Sequence, residues 1–230
     1  MIILAPPSEG KSSKNTVNEK FIETNYIFKD RVEKILSILN KLDEKKIVST
    51  YSTTLDKARV LHKNNLNIFD QGCSKAIERY TGVVFKNIDW YSLDLISKNY
   101  LNENLRIVSG LFGILKPDSL IPNYKLKMNV LSLTDFWKND ISNQLKNEEL
   151  ILDLLPATHR KVLKLEKNIL SINFIINKNG KLIQSAHSGK VVKGKFIRFL
   201  AQNNVYDVKG ITDFEYDGYS WNGEFFVKDL

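Results

Sequence analysis

The sequence predicts a mixed α/β fold of the α+β kind, one compact domain over residues 1–230 with a mixed sheet flanked by helices. Three observations predict it. Short apolar runs stop at proline or glycine, as buried strands do. Between them, apolar residues recur at three- and four-residue steps, which is the helical period. The later chain instead offers hairpins, one of them turning through Asn-Gly. No Pro/Ser/Gly-rich linker and no internal repeat divides the chain.

Taken in order, residues 2–5 read as a buried strand stopped by Pro6-Pro7, and 8–25 as a polar loop. Ile27, Val32, Ile35, Leu36, Leu39 and Leu42 mark an amphipathic helix over 26–42, and a more polar helix is expected over 55–65. The run 80–85 inside 76–85 is β-prone and reads as a strand. A helix over 90–101 has Asp89 placed to cap it. Residues 106–111 form a buried strand running into a Gly110–Gly113 loop. The segment 125–133 alternates, and Thr134 would cap a helix from 135 to about 146. A strand at 150–155 ends at Pro156. Residues 169–176 and 181–186 pair through Asn177-Lys178-Asn179-Gly180. A basic amphipathic helix follows over 188–203, and two short strands, 214–219 and 224–227, close the chain.

At 43% apolar and 26% charged residues, the composition is that of a globular protein with a sizeable core. No run approaches the roughly 18 apolar residues of a membrane span, so no membrane partner is expected. Met1 to Ala5 lacks a preceding basic region and is stopped by prolines, unlike a secretory signal. Cys73 is the sole cysteine, which excludes an internal disulfide and suits a reducing compartment; the expected location is cytoplasmic. The net charge is +8, and a basic protein concentrates near polyanions. Only six of the 34 basic residues are arginine, however, and a Lys/Asn/Ile bias also arises from an A/T-rich genome. The position of the charge must therefore carry the argument.

Several signatures fail. Pro6-Pro7-Ser8-Glu9-Gly10-Lys11-Ser12 ends like a phosphate loop, but such a loop needs glycine five positions before Gly10, where Ala5 stands. Its prolines also lack the N–H groups that would wrap phosphate. What remains is Ser8, Glu9 and Lys11 projecting from the end of a strand. His62, His159 and His187 are far apart without ligand spacing, so neither zinc nor another bound metal is expected, and no cofactor motif is present. Cys73 has Asp70 nearby and no resolving cysteine, so it reads as a plain thiol. Tyr80, Tyr124 and His187 are candidate proton-transfer groups.

Two features remain. Gly110 and Gly113 lie three apart in an apolar run, which suits a packing bend; helix-hairpin-helix glycines lie two apart. From 187 to 200, Val192, Phe196, Phe199 and Leu200 form one stripe, while Lys190 with Lys193 and Lys195 with Arg198 are i, i+3 pairs. Cations are disfavoured near a helix N-terminus, so their concentration there points to an anionic partner.

These blocks, in this order, resemble the YaaA-type peroxide-stress family. The resemblance rests on Pro6-Pro7-Ser8-Glu9-Gly10-Lys11, Tyr80-Thr81-Gly82, the run from Ser109 to Pro117, Pro122 to Met128, Phe136-Trp137, the basic helix 190–200, and Phe214 to Gly218. It implies a role in surviving hydrogen peroxide by limiting free iron. It also implies a basic cleft, a helix-hairpin-helix-like element and binding of duplex DNA. Lys11, Tyr80, Thr81, Ser109, Gly110, Tyr124, Lys125, Lys190 and Lys193 occupy the family blocks and are expected to line one cleft, with Lys195 and Arg198 adding charge. A monomer is expected. The rival reading is an enzyme acting on a small phosphorylated or carboxylated substrate, with Lys11, Thr81, Ser109, Tyr124 and Lys190 converging in a pocket. An open positive surface would favour DNA, and an enclosed pocket with shifted pKa values would favour the enzyme.

Overall fold

Strand β1 (Ile2–Ala5) is buried along its whole length and lies at the centre of a five-stranded sheet. An unbroken apolar run suits a strand covered on both faces, and Pro6-Pro7 then ends its hydrogen bonding. The computed structural model describes residues 1–14, 16–164, 167–184 and 188–230.

Helices α1 (Lys29–Leu39), α2 (Glu44–Tyr51) and α3 (Leu55–Leu66) follow β1. Next come β2 (Ser74–Lys75), α4 (Ala76–Arg79), α5 (Val83–Ile88), α6 (Leu95–Asn104), β3 (Leu105–Ser109), β4 (Gly113–Leu115) and β5 (Leu120–Ile121). The second half runs α7 (Leu133–Leu145), β6 (Ile151–Asp153), α8 (Ala157–Arg160), β7 (Ile169–Ser171), β8 (Phe174–Lys178) and β9 (Lys181–Gln184). It closes with α9 (Ser188–Gln202), α10 (Val208–Thr212), β10 (Ser220–Trp221) and β11 (Phe226–Asp229).

The main sheet has the order β4-β3-β1-β6-β7, parallel except for β4, so the fold is a mixed α/β one as predicted. Its register pairs Ile3 with Leu105 and with Leu152. From β1 the chain builds outward on one side through β3 and β4, then returns to build the other side through β6 and β7. The strand order therefore reverses at β1, and in open sheets of this kind ligands bind beyond the carboxyl ends at such a reversal. A second sheet, β10-β11-β8-β9, packs its Phe174 and Phe226 against Phe196 and Phe214. One buried cluster runs from Ile2 to Phe226, with a satellite of Ile47, Tyr51 and Ala58 beneath α2 and α3. Among the described residues no helix is long and apolar enough to cross a membrane.

Several local expectations give way to tertiary context. The β-prone run 80–85 is not a strand. Tyr80 and Thr81 are pinned by the 8–11 loop, with Thr81 N–H donating to Gly10 O at 3.1 Å, and the chain turns into α5. Asp89 does not N-cap the helix expected over 90–101; it is the C-cap of α5, its N–H donating to Phe85 O. It sits at φ 52°, while Asp94 accepts from Ser97 N–H at 2.7 Å. Residues 125–132 alternate without forming a strand, because their main-chain partner is a side chain. Buried Asn65 donates to Lys125 O at 2.8 Å and accepts from Lys125 N–H at 3.1 Å. Thr134 is inside α7 and donates to Met128 O instead of capping. The 214–219 segment is a turn, and β10 begins at Ser220. The Asn-Gly turn is present between β8 and β9, with Asn179 and Gly180 at φ 52° and 82°, but the expected strand 169–176 is split and its first part, β7, joins the main sheet instead. Positions 185–187, including His187, lie outside the described residues.

Gly110–Gly113 turns one strand back on the next, with no helix on either side. Among the described residues α2 and α3 form a helical hairpin, turned by Ser52 in the left-handed region. The two glycines are there for packing. A Cβ at Gly110 would lie 2.8 Å from the Lys127 carbonyl carbon, and one at Gly113, where φ is 67°, 2.6 Å from the Trp137 ring.

Candidate anion site at the carboxyl end of the sheet

The loop leaving β1 crosses the start of α5. Ser8 Oγ accepts from Thr81 and Gly82 N–H at 3.2 and 3.0 Å. Arg79, almost fully buried, anchors the far side of the loop by donating to Ser12 O at 2.6 Å and to Ile121 O at 3.3 Å. Between these fixings Lys11 folds inward. Its Nζ donates to Ser8 O at 3.1 Å and lies 4.1 Å from the Tyr124 ring centre and 5.4 Å from that of Tyr80.

Beneath the amine runs a row of hydroxyls. Tyr80 and Tyr124 are 2.7 Å apart at their oxygens, and Tyr124 is 2.7 Å from Ser109 Oγ. Ser109 Oγ accepts from Leu111 and Phe112 N–H at 3.3 and 3.2 Å, so its own proton is directed at Tyr124. Burial pushes Tyr124 up to about 12 and Tyr80 well above the usual phenol range, so both are neutral hydrogen-bonding groups at physiological pH. Lys11 moves the other way. Burial, then the charge of Lys125, lowers it to about 7, against a smaller upward pull from Glu9. The ring faces favour the ammonium by roughly 0.5–2 kcal/mol, which tempers this depression without reversing it.

Glu9 bridges two cations at the mouth, accepting from Lys125 at 2.7 Å and pairing with Lys127 at 3.3 Å. The Lys125 hydrogen bond holds the Glu9 carboxyl below its ordinary range. Lys11, Tyr124, Lys125, Lys127, Glu9 and His159 line a cavity of about 190 Å³. Burial brings His159 down to about 4, so its imidazole is neutral. A larger cavity, about 660 Å³, lies at the opposite, amino-terminal end of the parallel strands beside Ile2 and Arg106. It lacks the hydroxyl row and the buried amine of the smaller cavity.

The structure thus brings Lys11, Tyr80, Thr81, Ser109, Tyr124 and Lys125 together, with Gly110 packed under the Lys127 main chain. Lys193 lies at the same end of the sheet. It donates to Leu154 O at 2.7 Å, and burial lowers its pKa against the pull of Asp153. Lys190 is exposed and Lys195 half-buried. Arg198 is engaged further along α9, donating to Ile88 O, Asp89 O and Ser92 Oγ at 2.8–3.0 Å. Among the described residues no cluster of three His, Cys, Asp or Glu side chains could hold a metal ion.

Lys127 at the mouth and Arg160 beside Asp153 were not among the sequence candidates, and two buried charges also escaped the sequence reading. Asp153, buried at the carboxyl end of β6, pairs with Arg160 and accepts from Leu155 N–H at 2.8 Å. A lone carboxylate interrupting the apolar run 150–155 before Pro156 is the signal that could have found it. Arg79 gives no such signal, because its carbonyl partners come from remote loops.

A family model described as Peroxide stress protein YaaA matches residues 1–225. The chain is 29% identical to a UPF0246 protein of Flavobacterium psychrophilum, over 96% of this chain and 94% of that one. It is 30% identical to a UPF0246 protein of Rickettsia bellii, over 93% and 94%. It is 29% identical to one of Rickettsia conorii, over 85% and 84%.

Proposed function

Because the chain belongs to the peroxide stress protein YaaA family, we propose that it acts in the peroxide response by binding duplex DNA through its basic end, helping to limit damage by free intracellular iron. The observation that supports this is the gathering of Lys11, Lys125, Lys127, Arg160 and Lys193, from four distant stretches, at one end of the main sheet. Not all of these are free to meet phosphate, since Lys125 and Lys127 hold Glu9 and Lys193 holds a carbonyl. Exposed lysines available to phosphate include Lys190 on α9, Lys86 on α5, and Lys45, Lys46, Lys57 and Lys63 on the α2–α3 hairpin. Lysine is a point charge and does not read base edges bidentately, so binding is expected to ignore sequence. Any effect on iron is indirect in this reading.

Each phosphate neutralised adds about 0.9 to the slope of log affinity against log salt. Anisotropy of a labelled duplex across a salt series should therefore show a steep fall. Lys190→Glu with Lys195→Glu should cut the slope by about 2 if both touch phosphate. Absence of binding at low salt, or binding indifferent to salt, removes the DNA reading.

A second reading has its own support in the Lys11 cavity. A desolvated amine over neutral phenols, with two lysines at the mouth, is the arrangement of a site for a small phosphorylated or carboxylated molecule, not of an open phosphate track. Inorganic phosphate should raise the melting temperature of the wild type and not of the Lys125→Ala, Lys127→Ala variant. Equal responses would remove the pocket reading.

A further inference from the structure

We propose that Lys11 is a nucleophile that forms an imine with small carbonyl compounds carrying a phosphate or carboxylate, the anionic group being received by Lys125 and Lys127. The inference rests on the pocket reading above and goes beyond it by naming the reaction and the substrate class. Four features of the site carry it.

The first is placement. Lys11 lines the cavity with its amine held by one hydrogen bond, to Ser8 O, which leaves the nitrogen's other positions directed toward the rings and the opening. The second is the missing partner. Among the described residues Lys11 forms no ion pair, and the nearest-lying carboxylate, Glu9, is committed to Lys125 and Lys127. An amine needs a free lone pair to attack a carbonyl, and a carboxylate partner would hold it protonated. Burial beside other cations acts in the same direction, as the depressed Lys11 pKa shows.

The third is the mouth. Glu9 is largely exposed, so its carboxylate occupies the Lys125–Lys127 position from the solvent side. An incoming phosphate or carboxylate makes the same two ion pairs and displaces it. The fourth is size. At about 190 Å³ the cavity falls below the roughly 300 Å³ at which drug-sized ligands begin to fit, which selects a small molecule.

The reaction balances without a further reactant. The Lys11 lone pair adds to the carbonyl carbon, and the carbonyl electron pair moves to oxygen. Both amine hydrogens leave with that oxygen as water, and the C=N bond forms. The Tyr124 hydroxyl, linked to Tyr80 and Ser109, provides a neutral proton-sharing row beside the amine.

The test is reductive trapping with borohydride on the full-length protein. Glyoxylate and glycolaldehyde phosphate serve as anionic aldehydes and glycolaldehyde as the uncharged control, with the modified lysine located by peptide mass mapping. Both anionic probes should label Lys11 at least tenfold faster than Lys190, with a rate that is half-maximal near pH 7. Lys11→Arg should abolish that label while leaving the slow surface labelling. Lys125→Ala with Lys127→Ala should remove the preference for the anionic probes while glycolaldehyde still reaches Lys11. Labelling spread over surface lysines with Lys11 no faster than Lys190 overturns the proposal. If phosphate still raises the melting temperature in that case, the anion pocket stands and only the nucleophile is lost. If neither effect is seen, both readings fall together.

Discussion

Lys11 carries a cost that varies with pH. Its ordinary value is 10.5 and its folded value about 7. Between these two the unfolded chain holds a proton that the native protein has lost, so this residue's contribution to stability rises with pH across that window. Below pH 7 the native protein must bury an ammonium, and the contribution is at its lowest. Lys11→Met keeps the length of the side chain and removes the charge. It should raise unfolding stability at pH 6 by on the order of 1–3 kcal/mol, less than the full shift because the tyrosine faces favour the ammonium. The advantage should shrink at pH 9. Urea denaturation of the two proteins at both pH values checks this, and a gain that grows with pH would show that the amine is not desolvated. A site residue that destabilises its own fold is one held for something other than folding.

Among the elements, α9 meets α5 at a glycine. A Cβ on Gly194 would lie 2.4 Å from Val84 O and 2.6 Å from Asn87 Cβ. Replacing a helical glycine with alanine ordinarily stabilises by about 1 kcal/mol. Here the clash is with a main-chain carbonyl, which no rotamer change relieves, and overpacking of this kind costs roughly 1–3 kcal/mol. The clash wins, so Gly194→Ala should lose about 1–2 kcal/mol in denaturant unfolding. Gly110 and Gly113 are packed just as closely, against the 127 main chain and Trp137, as the packing reading of that bend expected.

At the scale of the molecule, the periodic elements were legible and the aperiodic ones were not. Strands β1, β3 and β6 and helices α1, α3 and α9 show in the sequence because each carries an apolar pattern strong enough to act locally. The segments 76–88 and 125–132 did not show, because their conformation is set by partners far away in sequence: the Ser8–Gly10 loop for one and the Asn65 amide for the other. The site divides the same way. Lys11, Tyr80, Ser109 and Tyr124 were proposed together through family blocks, since no spacing rule joins four residues spread over more than a hundred positions, and they lie together in the fold. Asp153 left a signal in the apolar run it interrupts, whereas Arg79 was missed because a buried charge held by remote carbonyls is recognisable only once its cage is seen.

Cys73 is fully buried in the main core cluster, and burial lifts its thiol to about 11. Peroxide attacks the thiolate, of which roughly one molecule in ten thousand would exist at neutral pH even if the sulfur were accessible. Ellman's reagent should therefore find no reactive sulfhydryl in the native protein and one after denaturation. Pre-treatment with millimolar hydrogen peroxide should leave that count unchanged, and fast native reaction would contradict the burial. Met128 is sealed in the same interior. A member of a peroxide-response family thus keeps its softest sulfur atoms out of the oxidant's reach, so its working lifetime is not shortened by the insult it answers.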